Sequence, residues 1–141
     1  MKKTLLLCLA LAAAAFGAEP KGKYAIILQA GNETNEGAAR AVHALLYARE
    51  LAEKGYDVAL VFDGAAAGWA LEFKNADNPL NKHYEKVVEL GAVLEICDYC
   101  AEHFDVKSRL SDQQKALLAG DYEGHPSLVR WIEKGYAIIS L

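Results

Sequence analysis

Two cysteines, Cys97 and Cys100, stand three residues apart in LEICDYCAEHF (residues 94–104). The first ends an apolar run and the second lies where a helix would begin. A thiol at such a junction has a chemical use. The first-turn amides of a helix have no partners within the helix, and a thiolate can accept them. That stabilisation lowers a thiol pKa from ~8.5 into the ~3.5–7.5 range, where the nucleophilic form is populated. Cys97, near the N-cap, is the expected nucleophile, with its sulfur open to solvent. Cys100, near N3, is expected to be better shielded and suits a resolving thiol. Asp98 places a carboxylate nearby, so the expected depression is moderate. A bridge between the two would close a very short loop and add little stability. Two cysteines are also too few to build a disulfide scaffold.

The same pair is half of a soft-metal site for copper or zinc. Zinc takes four ligands, and His103 follows Cys100 by three residues, on its helical face, while His125 could approach from another loop. His43 and His83 fall on helices and read as packing. Thioredoxin-type oxidoreduction fits the placement poorly, because its cysteine pair follows the first strand, whereas two complete strand–helix units precede this one. Of Pro20, Pro79 and Pro126, none precedes a late strand. The loop Gln29–Gly37 contains glycine and could hold an anion on its backbone. It lacks GxxxxGK[ST] and GxGxxG, so neither a nucleotide nor any other cofactor is expected. Asp63-Gly64 reads as a turn, and Trp69 and Phe73 as core or subunit contacts.

The elements that must position the cysteines carry one repeated mark. Glu53-Lys54-Gly55-Tyr56 precedes DVALVF, Glu89-Leu90-Gly91 precedes AVLEIC, and Glu133-Lys134-Gly135-Tyr136 precedes AIISL. Each is an amphipathic helix closing on a glycine suited to the left-handed C′ position, then an apolar strand. With the leading strand KYAIILQA, the runs are continuously apolar, as in strands buried on both faces. The expected fold is α/β: a three-layer α/β/α sandwich with a four- to five-stranded parallel sheet. Ala38, Ala41, Val42, Leu45, Ala48, Leu51 and Ala52 form the apolar face of a helix over residues 34–54. Pro79 is expected at N1 of the next helix, with Leu80, Tyr84, Val87 and Val88 as its stripe. Ser111-Asp112-Gln113-Gln114 has capping-box spacing. His125-Pro126-Ser127 opens the last helix, whose Leu128, Val129 and Ile132, with Trp131 alongside, should face the sheet. Asp105 to Arg109 is read as a short extra strand. In such a sheet, reactive groups gather outside the carboxyl ends of the strands, where Gln29–Gly37, Asp63–Trp69 and Cys97–Cys100 meet.

The first 18 residues, MKKTLLLCLALAAAAFGA, have the basic start, short apolar run and small residues of a secretory signal peptide. Cys8 lies in its apolar run. Cleavage leaves about 124 residues, enough for one domain over residues 22–141. It also removes Lys2 and Lys3, taking the formal charge from −4 to −6. An acidic domain without a basic stripe is not expected to bind nucleic acid. No second apolar run reaches membrane-spanning length, so no membrane association is expected after cleavage.

The stretches KYAIILQAG, RAVHALLYARELAEKGYDVALVFDGAAAGW, LEICDYCAEHF and GHPSLVRWIEKGYAIISL together resemble the DsrE/DsrF-like family, relatives of the sulfur-relay proteins. The resemblance implies a compact domain with a parallel sheet, often assembled into trimers or hexamers. It also implies that Cys97 matches the cysteine that carries a persulfide in relay members, whereas Cys100 occurs in only part of the family. Relay members usually continue the helix into two arginines and a glycine, where this chain has His103, Phe104 and Asp105. Relay members work in the cytoplasm, whereas this leader predicts a periplasmic or secreted protein. The expected function is sulfur handling by an exported protein, a persulfide carrier or sulfurtransferase-like enzyme, with Cys97 as nucleophile and Cys100 resolving. Its partner would be a sulfur donor or acceptor, protein or small sulfur compound. The alternative is a non-catalytic oligomeric binding protein whose cysteine pair is a structural disulfide or a soft-metal site.

Overall fold

All five strands of the sheet run parallel, in the order β4-β3-β2-β1-β5. A computed structural model describes residues 19–141, and the leader reading falls outside them. In chain order the elements are β1 (Lys23–Leu28), α1 (Asn35–Glu53), β2 (Asp57–Phe62), α2 (Trp69–Glu72), α3 (Asn81–Glu89) and β3 (Val93–Cys97). Then come α4 (Asp98–His103), α5 (Asp112–Lys115), β4 (Leu118–Ala119), α6 (Leu128–Glu133) and β5 (Tyr136–Ser140). Gly55, Gly91 and Gly135 take φ of 84°, 84° and 83°, the left-handed turn expected between each helix and the next strand. Among the described residues, no helix is long and apolar enough to cross a membrane.

The two sheet faces are covered unequally. On one, Ile26, Leu28, Leu60, Phe62 and Ile96 pack under α1, α2 and α3. Ala41, Ala44 and Ala48 let α1 lie close to the strands, and Phe62, Phe73 and Tyr84 meet at ring-centroid distances of 5.5–6.5 Å. Among the described residues, the other face has α6 alone. There Trp131, 3 % exposed, covers Ala25, Ala59 and Val61. Small side chains on the strands leave room for the indole, and this complementarity sets which side of α6 faces in. The expected inward residues turn outward: Leu128, Val129 and Ile132 are 49 %, 60 % and 55 % exposed. Beside Trp131, Arg130 reaches the buried Glu95 at 2.6 Å and Asp121 at 3.0 Å. Hydrogen bonding to Glu95 raises the Arg130 pKa, so its charge is secure.

Three other expectations are corrected. Asp105 to Arg109 is not a strand. Asp105 takes a positive φ of 55° after α4, and Lys107–Arg109 forms a 3-10 turn. The extra strand is β4, which follows the Ser111 capping box and pairs with β3 at Ile96↔Leu118 and Cys97↔Ala119. Helix α3 starts at Asn81, because the Asn78 side-chain oxygen accepts the Leu80 N–H at 2.9 Å and holds Pro79 in a turn. Within α3, Val88 is exposed, while Asn81 is buried and donates to the Phe73 carbonyl at 2.8 Å.

Candidate functional site

Parallel register builds the site at one edge of the sheet. Leu28 pairs with Phe62, and Phe62 with Ile96. The next residue of each strand therefore falls in a row, Gln29, Asp63 and Cys97, outside the carboxyl ends where such sheets present their chemistry. Cys97 is the N-cap of α4, and its sulfur accepts the Cys100 N–H at 3.2 Å. This is the junction the sequence predicted. The helix, however, has only six residues, so individual hydrogen bonds to the sulfur matter more than a macrodipole.

Cys97 and Cys100 form a disulfide, their Cα atoms 5.2 Å apart. Around it four groups converge. His125 Nδ1 lies 3.3 Å from Cys97 Sγ and 3.8 Å from Cys100 Sγ. Asp63 Oδ1 lies 3.3 Å from Cys100 Sγ, and the Gly64 N–H donates to the same sulfur at 3.2 Å. Gly64 has φ +56°, a conformation side chains resist, and this turns its amide toward the sulfur. Gln29 Nε2 donates to Asp63 Oδ2 at 3.1 Å, and Ser140 Oγ donates to Gln29 Oε1 at 3.0 Å. The carboxylate is thus held from behind by two further strands.

The loop before α6 is tied down locally. His125 and Tyr122 exchange backbone hydrogen bonds at 2.8 and 2.9 Å, and the Tyr99 N–H donates to the Gly124 carbonyl at 2.9 Å. The Tyr99 ring lies 4.9 Å from the His125 ring. His125 and Asp63, with Gln29, also line a cavity of about 350 Å³ whose walls include Ile27, Val61 and Trp131.

Burial differs from expectation. Cys97 is 0 % exposed and Cys100 5 %, so both sulfurs are covered, and Cys97 is the deeper. The expectation of an open strand tip is overturned by β4, which pairs beside Cys97, and by the loop that lays His125 over its sulfur. The expected opposition from Asp98 is also weakened, because Lys107 Nζ lies 2.8 Å from its Oδ1. That contact is the main cause of a raised Lys107 pKa.

Of the histidines considered, His125 reaches the sulfurs, whereas His103 stays at the surface, stacked on Tyr99 at 6.0 Å. In the sequence, Asp63-Gly64 reads only as a turn, whereas the structure sets Asp63 against Cys100. The signal for it was the strand register, which puts the residue after β2 beside the residue ending β3. Trp69 and Phe73 are core, as expected, and Trp69 Nε1 donates to the Ala30 carbonyl at 3.0 Å. The loop Gln29–Gly37 is packed on itself, since a Cβ at Gly37 would collide with the Gly31 carbonyl oxygen.

Chemically, the arrangement suits two-electron thiol–disulfide exchange. Asp63 Oδ1 is within hydrogen-bonding reach of Cys100 Sγ, and His125 Nδ1 of Cys97 Sγ. Comparison with known proteins bears on the scaffold. The chain resembles a solved protein of unknown function from Bacteroides thetaiotaomicron, BT1422, with TM-score 0.59 over 84 % of this chain and 94 % of that one. Identity there is 16 %, so the likeness concerns the fold. An uncharacterized protein of Methanocaldococcus jannaschii, MJ0733, is 39 % identical over 100 residues, 71 % of this chain and 78 % of the relative. The sequence pattern of the DsrE/DsrF-like family matches residues 22–141. With that match spanning the whole sheet and its cysteine edge, the chain belongs to the DsrE/DsrF-like family.

Proposed function

We propose that this protein handles sulfane sulfur at Cys97, as an exported persulfide carrier or sulfurtransferase-like enzyme. The observation that carries the reading is the asymmetric pairing of the two sulfurs, His125 on Cys97 at 3.3 Å and Asp63 on Cys100 at 3.3 Å. Starting from the dithiol, the Cys97 thiolate attacks the terminal sulfur of a persulfide or polysulfide donor. The donor's S–S bond breaks, the donor leaves as a thiolate, and Cys97 carries –S–SH. Cys100 then loses its proton to Asp63 and attacks Cys97 Sγ. Hydrosulfide leaves, and the Cys97–Cys100 disulfide forms. The sulfane sulfur gains the two electrons that the cysteine pair loses, and an external dithiol must return them before the next cycle. Cys97 is covered, so loading requires the His125 side chain to rotate away from its sulfur.

The leader motivates assignment to the periplasm or to secretion. The reading also takes the protein to be a homo-oligomer, supported by the exposed Leu128, Val129 and Ile132 on α6. Light scattering on wild type and on the triple Ser variant tests this. A monomeric wild-type mass would refute the assembly, and equal multimeric masses would move its interface off α6.

Mass spectrometry tests the central claim. Reduced protein incubated with polysulfide should gain one or more sulfur atoms on Cys97. The Cys100→Ser variant should retain them longer, because hydrosulfide release has lost its attacking thiol. Equal labelling of Cys97→Ser and wild type would refute the reading.

A further inference from the structure

Asp63, Cys97, Cys100 and His125 come from the ends of β2 and β3, the first turn of α4 and the loop before α6, yet their donor atoms all lie within 4.8 Å of one another. Tetrahedral zinc, with bonds of about 2.3 Å to sulfur and 2.0–2.2 Å to nitrogen or oxygen, keeps its ligand atoms roughly 3.3–3.8 Å apart. Three contacts already have that length: Cys97–His125 at 3.3 Å, Cys100–His125 at 3.8 Å and Cys100–Asp63 at 3.3 Å. The two sulfurs are closer, because they are bonded. Reduction removes that bond and lets them part.

The surroundings also suit a thiolate-bound cation. Each sulfur accepts one backbone N–H, from Cys100 and from Gly64. Asp63 is oriented by Gln29, and Gln29 by Ser140, the kind of outer support that fixes a ligand's direction. Asp63 and His125 line the adjoining cavity, which gives an ion its route. Two thiolates, a carboxylate and a neutral imidazole carry a charge of −3, which a divalent ion reduces to −1. Copper(I) would leave −2 and prefers soft donors to a carboxylate, so zinc is the better match.

We propose that the dithiol form of this protein binds one zinc ion through Cys97, Cys100, His125 and Asp63, and that the ion and the disulfide exclude each other. Reduction adds two electrons and two protons to the sulfurs, and zinc binding releases those two protons to solvent. A small-molecule disulfide reverses the state. It takes two electrons from the pair and two protons from solvent, departs as two thiols, and the ion is ejected. Zinc would also withhold the Cys97 thiolate from sulfur donors.

Cobalt(II) is the probe. Full-length protein reduced with a phosphine under anaerobic conditions should bind one equivalent. Its spectrum should show thiolate-to-cobalt charge transfer and intense tetrahedral ligand-field bands, both bleached by zinc. Oxidised protein should show neither. His125→Ala and Asp63→Ala should lose the tetrahedral intensity, and Gln29→Ala should weaken binding about 10- to 100-fold while keeping the spectrum. Circular dichroism checks folding, and should the ligand variants unfold, Gln29→Ala carries the test. Absence of charge transfer in reduced wild type overturns the proposal, as do spectra and affinity unchanged in all three variants. Cobalt absorbance is independent of sulfur loading, so failure here is distinguishable from failure of the sulfur-transfer reading.

Discussion

If the cysteine pair serves chemistry, the fold must survive its reduction. The bridge closes a loop of four residues, with a sequence separation of 3. The chain-entropy relation for such a loop gives about 6 cal/mol/K, or about 1.9 kcal/mol at 25 °C. No cavity term is added, because the reduced thiols fill nearly the same volume. Nor is a polar group stranded. The Cys97 sulfur keeps the Cys100 N–H, and the Cys100 sulfur keeps the Gly64 N–H and the Asp63 carboxylate. For a domain of this size the unfolding entropy is about 0.26 kcal/mol/K, so reduction should lower Tm by about 7 °C. Thermal unfolding followed by circular dichroism, with and without a phosphine reductant and in chelator, measures this. A reduced protein with no cooperative transition, or a loss above about 4 kcal/mol, would show that the bridge is structural, and the chemical reading would fall with it.

Trp131→Ala should destabilise by about 3–5 kcal/mol in denaturant titration, because the indole is the large side chain covering the second sheet face. Leu128→Ser, on the exposed side of the same helix, should change monomer stability by no more than about 0.5 kcal/mol. Burial raises the Tyr84 pKa. The folded state therefore holds that proton more tightly than the unfolded state, and the associated stability is present below pH ~10 and lost as pH climbs through the raised value. Tyr84→Phe should shift the alkaline unfolding midpoint upward, and an unchanged midpoint would count against this. Asp63→Asn should slow hydrosulfide release from persulfidated protein about 100-fold or more, leaving loading of Cys97 intact. Equal release rates would remove Asp63 as the proton acceptor.

Much of this architecture was legible in local chemistry. Continuous apolar runs and helix-closing glycines specify the four longer strands, and their order is recoverable because each rule acts within a few residues. The N-cap position of Cys97 was legible for the same reason, as was the Ser111 capping box. Local pattern misleads where it meets a tertiary choice. The apolar residues of α6 suggested Leu128, Val129 and Ile132 as its inner face. The alanines on β1 and β2 accept the larger Trp131 instead. Asp105 to Arg109 resembled a strand, but the edge of β3 was taken by Leu118–Ala119.

What the sequence determined by itself was the scaffold and the placement of two sulfurs at a strand-to-helix junction. Only the tertiary structure decided their environment: Asp63 and Gln29 aligned beside them by parallel register, and His125 brought over Cys97 from 28 residues away in the chain. The physical reason is range. Turn and capping preferences are spent within a few residues, whereas the proton partners and depth of a thiol depend on which distant segments the packed sheet carries to the same edge.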